Sequence, residues 1–372
     1  MEALMNQVHG TVAPGYETVL EKFAAVEPGA QLAAYVGGRQ VVDLWSGEGV
    51  GGDSLTGLYS STKAAAYLVV ALLVREGALD LDRAVSAYWP EFAAAGKSAI
   101  TLRELISHRS GLVNVDGGFT VAELADDELV AGRMAAQRPL WRPGTAYGYG
   151  GFVIGAMLGE VVRRVTGRSI QRLFEERVRS PYELDLYLGL PQELEPRFLQ
   201  VLPWIATPEQ EAAFQAYAPG PDSVAGMGYN LNATPPFNPL DFPNHRVVRA
   251  GGQASAGGVG SARGLAGMYQ AILDGLLDPG TVAEFATIHS TGGDLVGGPG
   301  VSYALGFQAK GLEYRCLSAY AFGHSGSAGS DGFADPRRGI AYGYTRRRAA
   351  FGYQAPENQR LAAAIAEAAA RA

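Results

Sequence analysis

The chain has 372 residues, a formal net charge of −7 and a pI of about 5.4, which argues against nucleic acid or an anionic membrane as its main partner. It is 47% hydrophobic and 18% charged, enough apolar material for a sizeable core and too much for a disordered chain. Its one cysteine, Cys316, excludes an intramolecular disulfide, and in the run RCLSAYAF it is expected as a buried core thiol.

Residues 1–23 show neither a basic n-region nor an apolar h-region, so no signal peptide is visible. The longest uncharged apolar run, 64–74, is too short for a membrane span, which needs roughly 18 residues. A cytoplasmic soluble protein is the expectation. Residues 14–26 read as an opening helix with Pro14 near its start. QLAAYV and RQVVDLW flank Gly37-Gly38, which predicts a β-hairpin with a type I′ turn. Residues 64–76 (AAAYLVVALLVRE) are apolar on nearly every side, the mark of a buried helix, with Gly77 as its C′ residue.

Helical patterns dominate from there to about residue 250. Thr101 and Glu104 form a capping box that opens a short helix ending near His108. Further helices are expected over 121–136, 151–165 and 168–180. Residues 190–250, rich in Pro, Asn and Gly, read as a long irregular excursion, and loops of that length are usually lids or rims. The glycine-rich stretch 251–264 holds Gly258-x-Gly260 but lacks dinucleotide spacing, so it predicts a tight backbone return and no cofactor site. A helix is expected over 265–277. Strands are expected over 301–308, 315–326, 331–336 and 339–347, with a turn at 335–339 joining the last two, and a helix over 356–372 closes the chain.

Sheet and helix at both ends with a helical middle imply an α/β (α+β) arrangement. A discontinuous sheet domain, 1–78 and 251–372, would carry an all-helical insertion over 79–250.

Ser60 and Lys63 form the only Ser-x-x-Lys in the chain. One turn apart at the mouth of the apolar helix, they would lie on one face. A desolvated lysine loses charge, and a neutral amine beside a hydroxyl is a base beside a nucleophile. The helix N-terminus adds N–H groups for an oxyanion. A serine capping a helix with a lysine one turn in is also an ordinary structural arrangement. Lys63 is expected to act on the proton and not to be needed for the core.

Three further stretches follow: LRELISHRSGL (102–112), PGTAYGY (143–149) and FGHSG (322–326). Together with Ser60-Ser61-Thr62-Lys63 they resemble the serine β-lactamase and penicillin-binding-protein superfamily, and within it the class C β-lactamase-like family VIII carboxylesterases. The resemblance implies a mainly antiparallel sheet flanked by helices. It implies Ser60 as nucleophile, Lys63 as base and Tyr149 as the tyrosine that helps move the proton. His324, Ser325 and Gly326 match the Lys-Thr-Gly strand motif, and the backbone N–H groups of Ser60 and Ser327 match the oxyanion hole. Tyr147 offers a rival register for the tyrosine. Two departures stand out: Gly151 replaces the asparagine of Tyr-x-Asn, and His324 replaces the strand lysine that helps hold a β-lactam carboxylate.

The resemblance therefore implies a metal-free serine hydrolase working through an acyl-enzyme. Its expected substrates are small esters or amides, with little β-lactam turnover. The alternatives are an acyltransferase that passes the acyl group to an amine or alcohol, and a silent penicillin-binding-type sensor. His108 is expected to be structural, and His245 and His289 to be loop residues. No His, Cys or Asp cluster has zinc spacing. Oligomeric state is not readable from the sequence.

Overall fold

The computed structural model describes residues 7–26, 29–236, 238–353 and 355–371. The leader reading at 1–6 and the last residue of the closing helix, 372, fall outside them.

Strand β1 (Val8–Val12), absent from the sequence expectation, precedes α1 (Glu17–Ala24). The hairpin follows as β2 (Ala30–Val36) and β3 (Arg39–Ser46). Gly37 and Gly38 have φ of 57° and 79°, the positive values a type I′ turn requires of both central residues. The buried helix is α2 (Lys63–Arg75), and every side chain from Lys63 to Leu73 is buried. Gly77, at φ 72°, ends it as expected.

In the middle of the chain, α3 (Leu102–Ile106) has the Thr101–Glu104 capping box. The helix expected over 121–136 is broken. Ala125 and Asp126 leave it, and the Asp126 carboxylate caps a new start at α4 (Asp127–Ala136). Helix α5 (Ile154–Thr166) starts later than expected and ends on Gly167 in the left-handed region. The excursion 190–250 is less irregular than its composition suggests, since it contains short helical pieces such as Gln192–Arg197, Pro208–Ala216 and Arg246–Gly251. Helix α6 (Ala262–Ala271) begins earlier than expected, because Ser261 caps it.

Four strands come from the C-terminal part: β4 (Gln308–Ala309), β5 (Phe322–Ser325), β6 (Asp331–Asp335) and β7 (Ile340–Arg346). The strands expected over 301–308 and 315–326 shrink to β4 and β5. The Asp335 carboxylate draws Ser318 N–H and Ser318 Oγ–H onto itself at 2.7 and 2.6 Å, which bends 315–321 into a loop. Cys316 lies in that loop, half-buried at the edge of an apolar cluster rather than fully inside it. Helix α7 (Glu357–Ala369) closes the described chain.

The seven strands form one antiparallel sheet in the order β1-β3-β2-β7-β6-β5-β4. Alternation along β7 assigns its faces. Ile340, Tyr342 and Tyr344 share an apolar cluster with α1 and α7, and the Tyr342 hydroxyl donates to Asn358 Oδ1 at 2.7 Å. Gly343 meets α6 on the other face. A β-carbon there would stand 2.3 Å from the Ala262 carbonyl oxygen, so only glycine lets helix and sheet approach this closely. The largest apolar cluster runs from α2 outward to Leu105, Met157 and Phe322, so α2 is the spine between the sheet and the helical middle.

Candidate active site

Ser60 does not cap α2 with its side chain. It lies in a 3₁₀ turn, Tyr59–Thr62, that runs straight into the helix, and no side-chain cap is made. Its hydroxyl is thereby left available to Lys63. Tyr59, just before it, sits at φ 48°. For a bulky residue this left-handed conformation costs about 1–2 kcal/mol. The surroundings hold it there: the Tyr59 hydroxyl donates to the Leu240 carbonyl at 2.5 Å, and its ring packs on Val201, Ala328 and Ala349. The excursion thus supports the turn that presents Ser60.

Polar contacts clamp this turn to the strand motif. Ser61 Oγ–H donates to the His324 carbonyl at 3.0 Å, and Ser330 Oγ–H donates to the Leu58 carbonyl at 2.8 Å. Gly258 N–H donates to Thr62 Oγ1 at 3.0 Å. Gly326 fits between them. A β-carbon on it would fall 2.3 Å from both the Leu58 carbonyl oxygen and Ser330 Oγ. Ser60 and Ser327 are therefore brought together from separate segments. Among the described residues neither backbone N–H has a hydrogen-bond partner, and both residues are partly exposed. Two unpaired donors on adjoining segments are what an oxyanion needs.

Lys63 is wholly buried, against the expectation that the core does not need it. Its Nζ donates to the Gly151 carbonyl at 2.6 Å and the Ser255 carbonyl at 2.8 Å, and lies 3.1 Å from Ser60 Oγ. Burial pushes its pKa well below the ordinary lysine value. A neutral amine has two hydrogens and one lone pair. With one hydrogen given to each carbonyl, such an amine would turn its lone pair to the Ser60 hydroxyl. Gly151, which replaces the asparagine of the family's Tyr-x-Asn, contributes through its backbone.

The tyrosines separate cleanly. The Tyr147 hydroxyl donates to the Val301 carbonyl at 2.9 Å, away from the serine. The Tyr149 ring centroid lies 4.8 Å from Lys63 Nζ. Its buried hydroxyl lies beside Ser60 yet makes no hydrogen bond of normal geometry. Burial raises the Tyr149 pKa above the ordinary phenol value, and the Ser60 hydroxyl only partly opposes this. The resting phenol is neutral.

His324 is fully buried, and its Nδ1–H donates to the Ser325 carbonyl at 2.8 Å. Burial, with Lys63 nearby, pushes its pKa well below the ordinary histidine value. It offers no cation and no surface to a substrate. Ser325 does face outward, lining a cavity of about 450 Å³ with Ser302, Gln308, Gly326 and Tyr353. Behind it lies buried Lys310, whose Nζ donates to Ser325 Oγ at 2.5 Å, to Glu313 at 2.8 Å and to Asp331 at 2.9 Å. Burial opposes that charge, but Asp331 and Glu313 outweigh it and hold the ammonium's pKa above its ordinary value. His108 is buried: its Nδ1 accepts from Gly150 N–H at 3.3 Å, and burial lowers its pKa to about 3. His245 is exposed and His289 bonds Tyr303 through its backbone. Among the described residues no group of three or more His, Cys, Asp or Glu side chains is placed to hold a metal ion, and no helix is long and apolar enough to cross a membrane.

A model of the beta-lactamase family matches residues 17–368. The chain belongs to the beta-lactamase family. Among curated proteins it is 28% identical to the "Esterase/beta-lactamase LipL" of Mycobacterium tuberculosis, over 92% of this chain and 83% of that one. Among solved structures it is similar to EstA from Arthrobacter nitroguajacolicus Rue61a, at 39% identity and a TM-score of 0.89, covering 97% of this chain and 98% of that one. A family VIII carboxylesterase superposes with a TM-score of 0.86 at 33% identity, covering 98% and 99% of the two chains.

Within this beta-lactamase family fold, sequence reasoning missed several residues that hold the site. Lys310 and Asp331 carried no motif, although a lysine in an apolar neighbourhood near an Asp-Gly strand start was a signal of a buried pair. Asp294 and Tyr303 had no local signal at all.

Proposed function

We propose that this protein is a carboxylesterase in which Ser60, Lys63 and Tyr149 perform acyl transfer through an acyl-enzyme. The observation that carries the reading is the wholly buried Lys63 Nζ, 3.1 Å from Ser60 Oγ and held by the Gly151 and Ser255 carbonyls, in surroundings that push its pKa well below the ordinary lysine value. The serine hydrolase class and the esterase activity rest also on the family match and on the esterase relatives.

Ser60 Oγ attacks the ester carbonyl carbon while its proton passes to Lys63 Nζ. The carbonyl π-bond electrons move to oxygen, where the Ser60 and Ser327 N–H groups receive the negative charge. Collapse breaks the bond to the alkoxy oxygen. Tyr149 donates its phenolic proton to that oxygen and is reprotonated from Lys63, so the alcohol leaves neutral. Water then attacks the acyl-enzyme by the same path in reverse roles. The cavity beside Ser325 is lined by the strand motif through Ser325 and Gly326 but not by Ser60, Lys63 or Tyr149, so the ester's place at Ser60 rests on the catalytic geometry and not on that cavity. The division into a 1–78 and 251–372 sheet domain with a 79–250 helical domain is part of this proposal. Nothing in the site favours acyl transfer to another nucleophile or a silent sensor.

A fluorophosphonate probe followed by mass spectrometry tests the reading. One adduct on Ser60 is expected, lost in Ser60→Ala together with p-nitrophenyl ester hydrolysis. Hydrolysis that survives Ser60→Ala would overturn it.

A further inference from the structure

The strap that carries Tyr149 is held from outside by a short hairpin, Gly293–Asp294 paired with Gly298–Pro299. Leu295 N–H donates to the Tyr147 carbonyl at 3.0 Å. Asp294 makes the closer connection, and it is only 4% exposed. Its Oδ1 accepts from the Tyr149 N–H at 3.1 Å and from the Val296 N–H at 2.8 Å. Its Oδ2 accepts from the Tyr303 hydroxyl at 3.2 Å. The Tyr303 ring stacks on the Tyr149 ring, with centroids 5.7 Å apart and planes 8° from parallel. His108 meets both rings edge-on, 5.1 Å from Tyr149 and 4.7 Å from Tyr303.

One carboxylate therefore grips Tyr149 twice, once by its backbone and once through the ring stacked on it. We propose that Asp294 is a positioning residue for the reaction, and that with Tyr303 it sets the place of the Tyr149 hydroxyl beside Ser60. The proposal rests on the catalytic reading of Tyr149 given above. The physical need is plain. Among the described residues the Tyr149 hydroxyl lies beside Ser60 without a hydrogen bond of normal geometry, so its ring and backbone do most to fix where its proton points. A phenol that must deliver a proton gains from preorganisation, and a displacement of about 1 Å at such a group can lower rate on the order of 100-fold. Gly151, in place of the asparagine of Tyr-x-Asn, has no side chain to help. Asp294 comes from a segment about 145 residues further along the chain, and serves the site without touching substrate.

The test is a double-mutant cycle on p-nitrophenyl butyrate hydrolysis with Asp294→Ala, Tyr149→Phe and the pair combined. Asp294→Ala alone should lower kcat roughly 10- to 100-fold with KM nearly unchanged. In the Tyr149→Phe background it should cost no further activity, because both changes act on one hydroxyl. Asp294→Asn, whose amide oxygen still accepts from the Tyr149 N–H, should recover most of the rate. Tyr303→Phe keeps the stacked ring, removes one grip and should lose several-fold in kcat, again only when Tyr149 is present. It stands in should Asp294→Ala fail to fold. Full activity in Asp294→Ala with Tyr149→Phe crippled would overturn the positioning role alone. Losses that multiply in the double variant, or that fall on KM, would do the same. Should Tyr149→Phe itself stay active, the catalytic reading of Tyr149 fails first and this proposal with it.

Discussion

Replacing Lys63 by methionine separates its chemical role from its structural one. Methionine fills most of the volume and has no amine. Loss of a general base costs about 10²–10⁴ in rate, or roughly 2.7–5.5 kcal/mol of barrier at 1.36 kcal/mol per tenfold. The stability change has two opposing parts. The Gly151 and Ser255 carbonyls lose their donor, at about 1–3 kcal/mol for each buried group left unpaired. Against this, the wild type carries the burden of burying an amine that the unfolded chain would hold protonated. The sign follows from proton binding. The folded-state pKa lies below the ordinary 10.5. Between the two values the unfolded chain binds one more proton at this residue, so the wild-type contribution to stability rises with pH. The stability of wild type minus that of Lys63→Met should therefore increase as pH climbs from 7 toward 10. Urea unfolding at several pH values measures it, and initial rates on short p-nitrophenyl esters measure the chemistry. A flat stability difference would mean that Lys63 is charged in the fold. A rate within tenfold of wild type would show that the base is another group.

Tyr149→Phe should lower kcat/KM by about 100-fold or more, while Tyr147→Phe, whose hydroxyl only reaches the Val301 carbonyl, should stay within a few-fold in the same ester assay. Gly326→Ala should sharply reduce ester hydrolysis, because its β-carbon would push β5 off the Ser60 turn; kinetics comparable to wild type would mean that the strand and turn are not clamped as described. Nitrocefin turnover should be far below ester turnover, since His324 is buried and held neutral where a cation would meet a β-lactam carboxylate; comparable rates on the two substrates would contradict this.

What could be read in the sequence and what could not divide along a physical line. The Gly37-Gly38 turn, the Thr101–Glu104 box and the all-apolar α2 were legible because each is decided within a few residues by backbone preference or periodicity. The proximity of Ser60 and Lys63 was legible for the same reason, since one helical turn brings them together. The strands expected over 301–308 and 315–326 were misjudged. The second of these runs is bent over 315–321 by the Asp335 carboxylate, a partner from another strand that no local pattern announces. Lys63 shows the limit most clearly. Its place one turn from Ser60 was readable, but its complete burial and its two carbonyl partners come from residues 151 and 255, far along the chain.

The same line explains why the strand-motif histidine was read only in part. Its position in FGHSG was visible, and so was the loss of a lysine. Its protonation state was not, because that depends on what surrounds it. Around His324 the fold places the rings of Tyr67 and Tyr149, with centroids 6.3 and 6.0 Å away, and the basic groups of Lys63 and Lys310, so burial and neighbouring positive charge both push its pKa down. The cation at this end of the site comes instead from Lys310, which is buried like His324 but paired with Asp331. Two buried basic groups thus take opposite states for one reason. Burial disfavours charge at both, and only the one given a carboxylate keeps it. A substrate approaching Ser325 meets a hydroxyl backed by that ammonium, and among the described residues that line the cavity there is no lysine or arginine, an arrangement suited to a neutral ester and poorly suited to a carboxylate-bearing lactam.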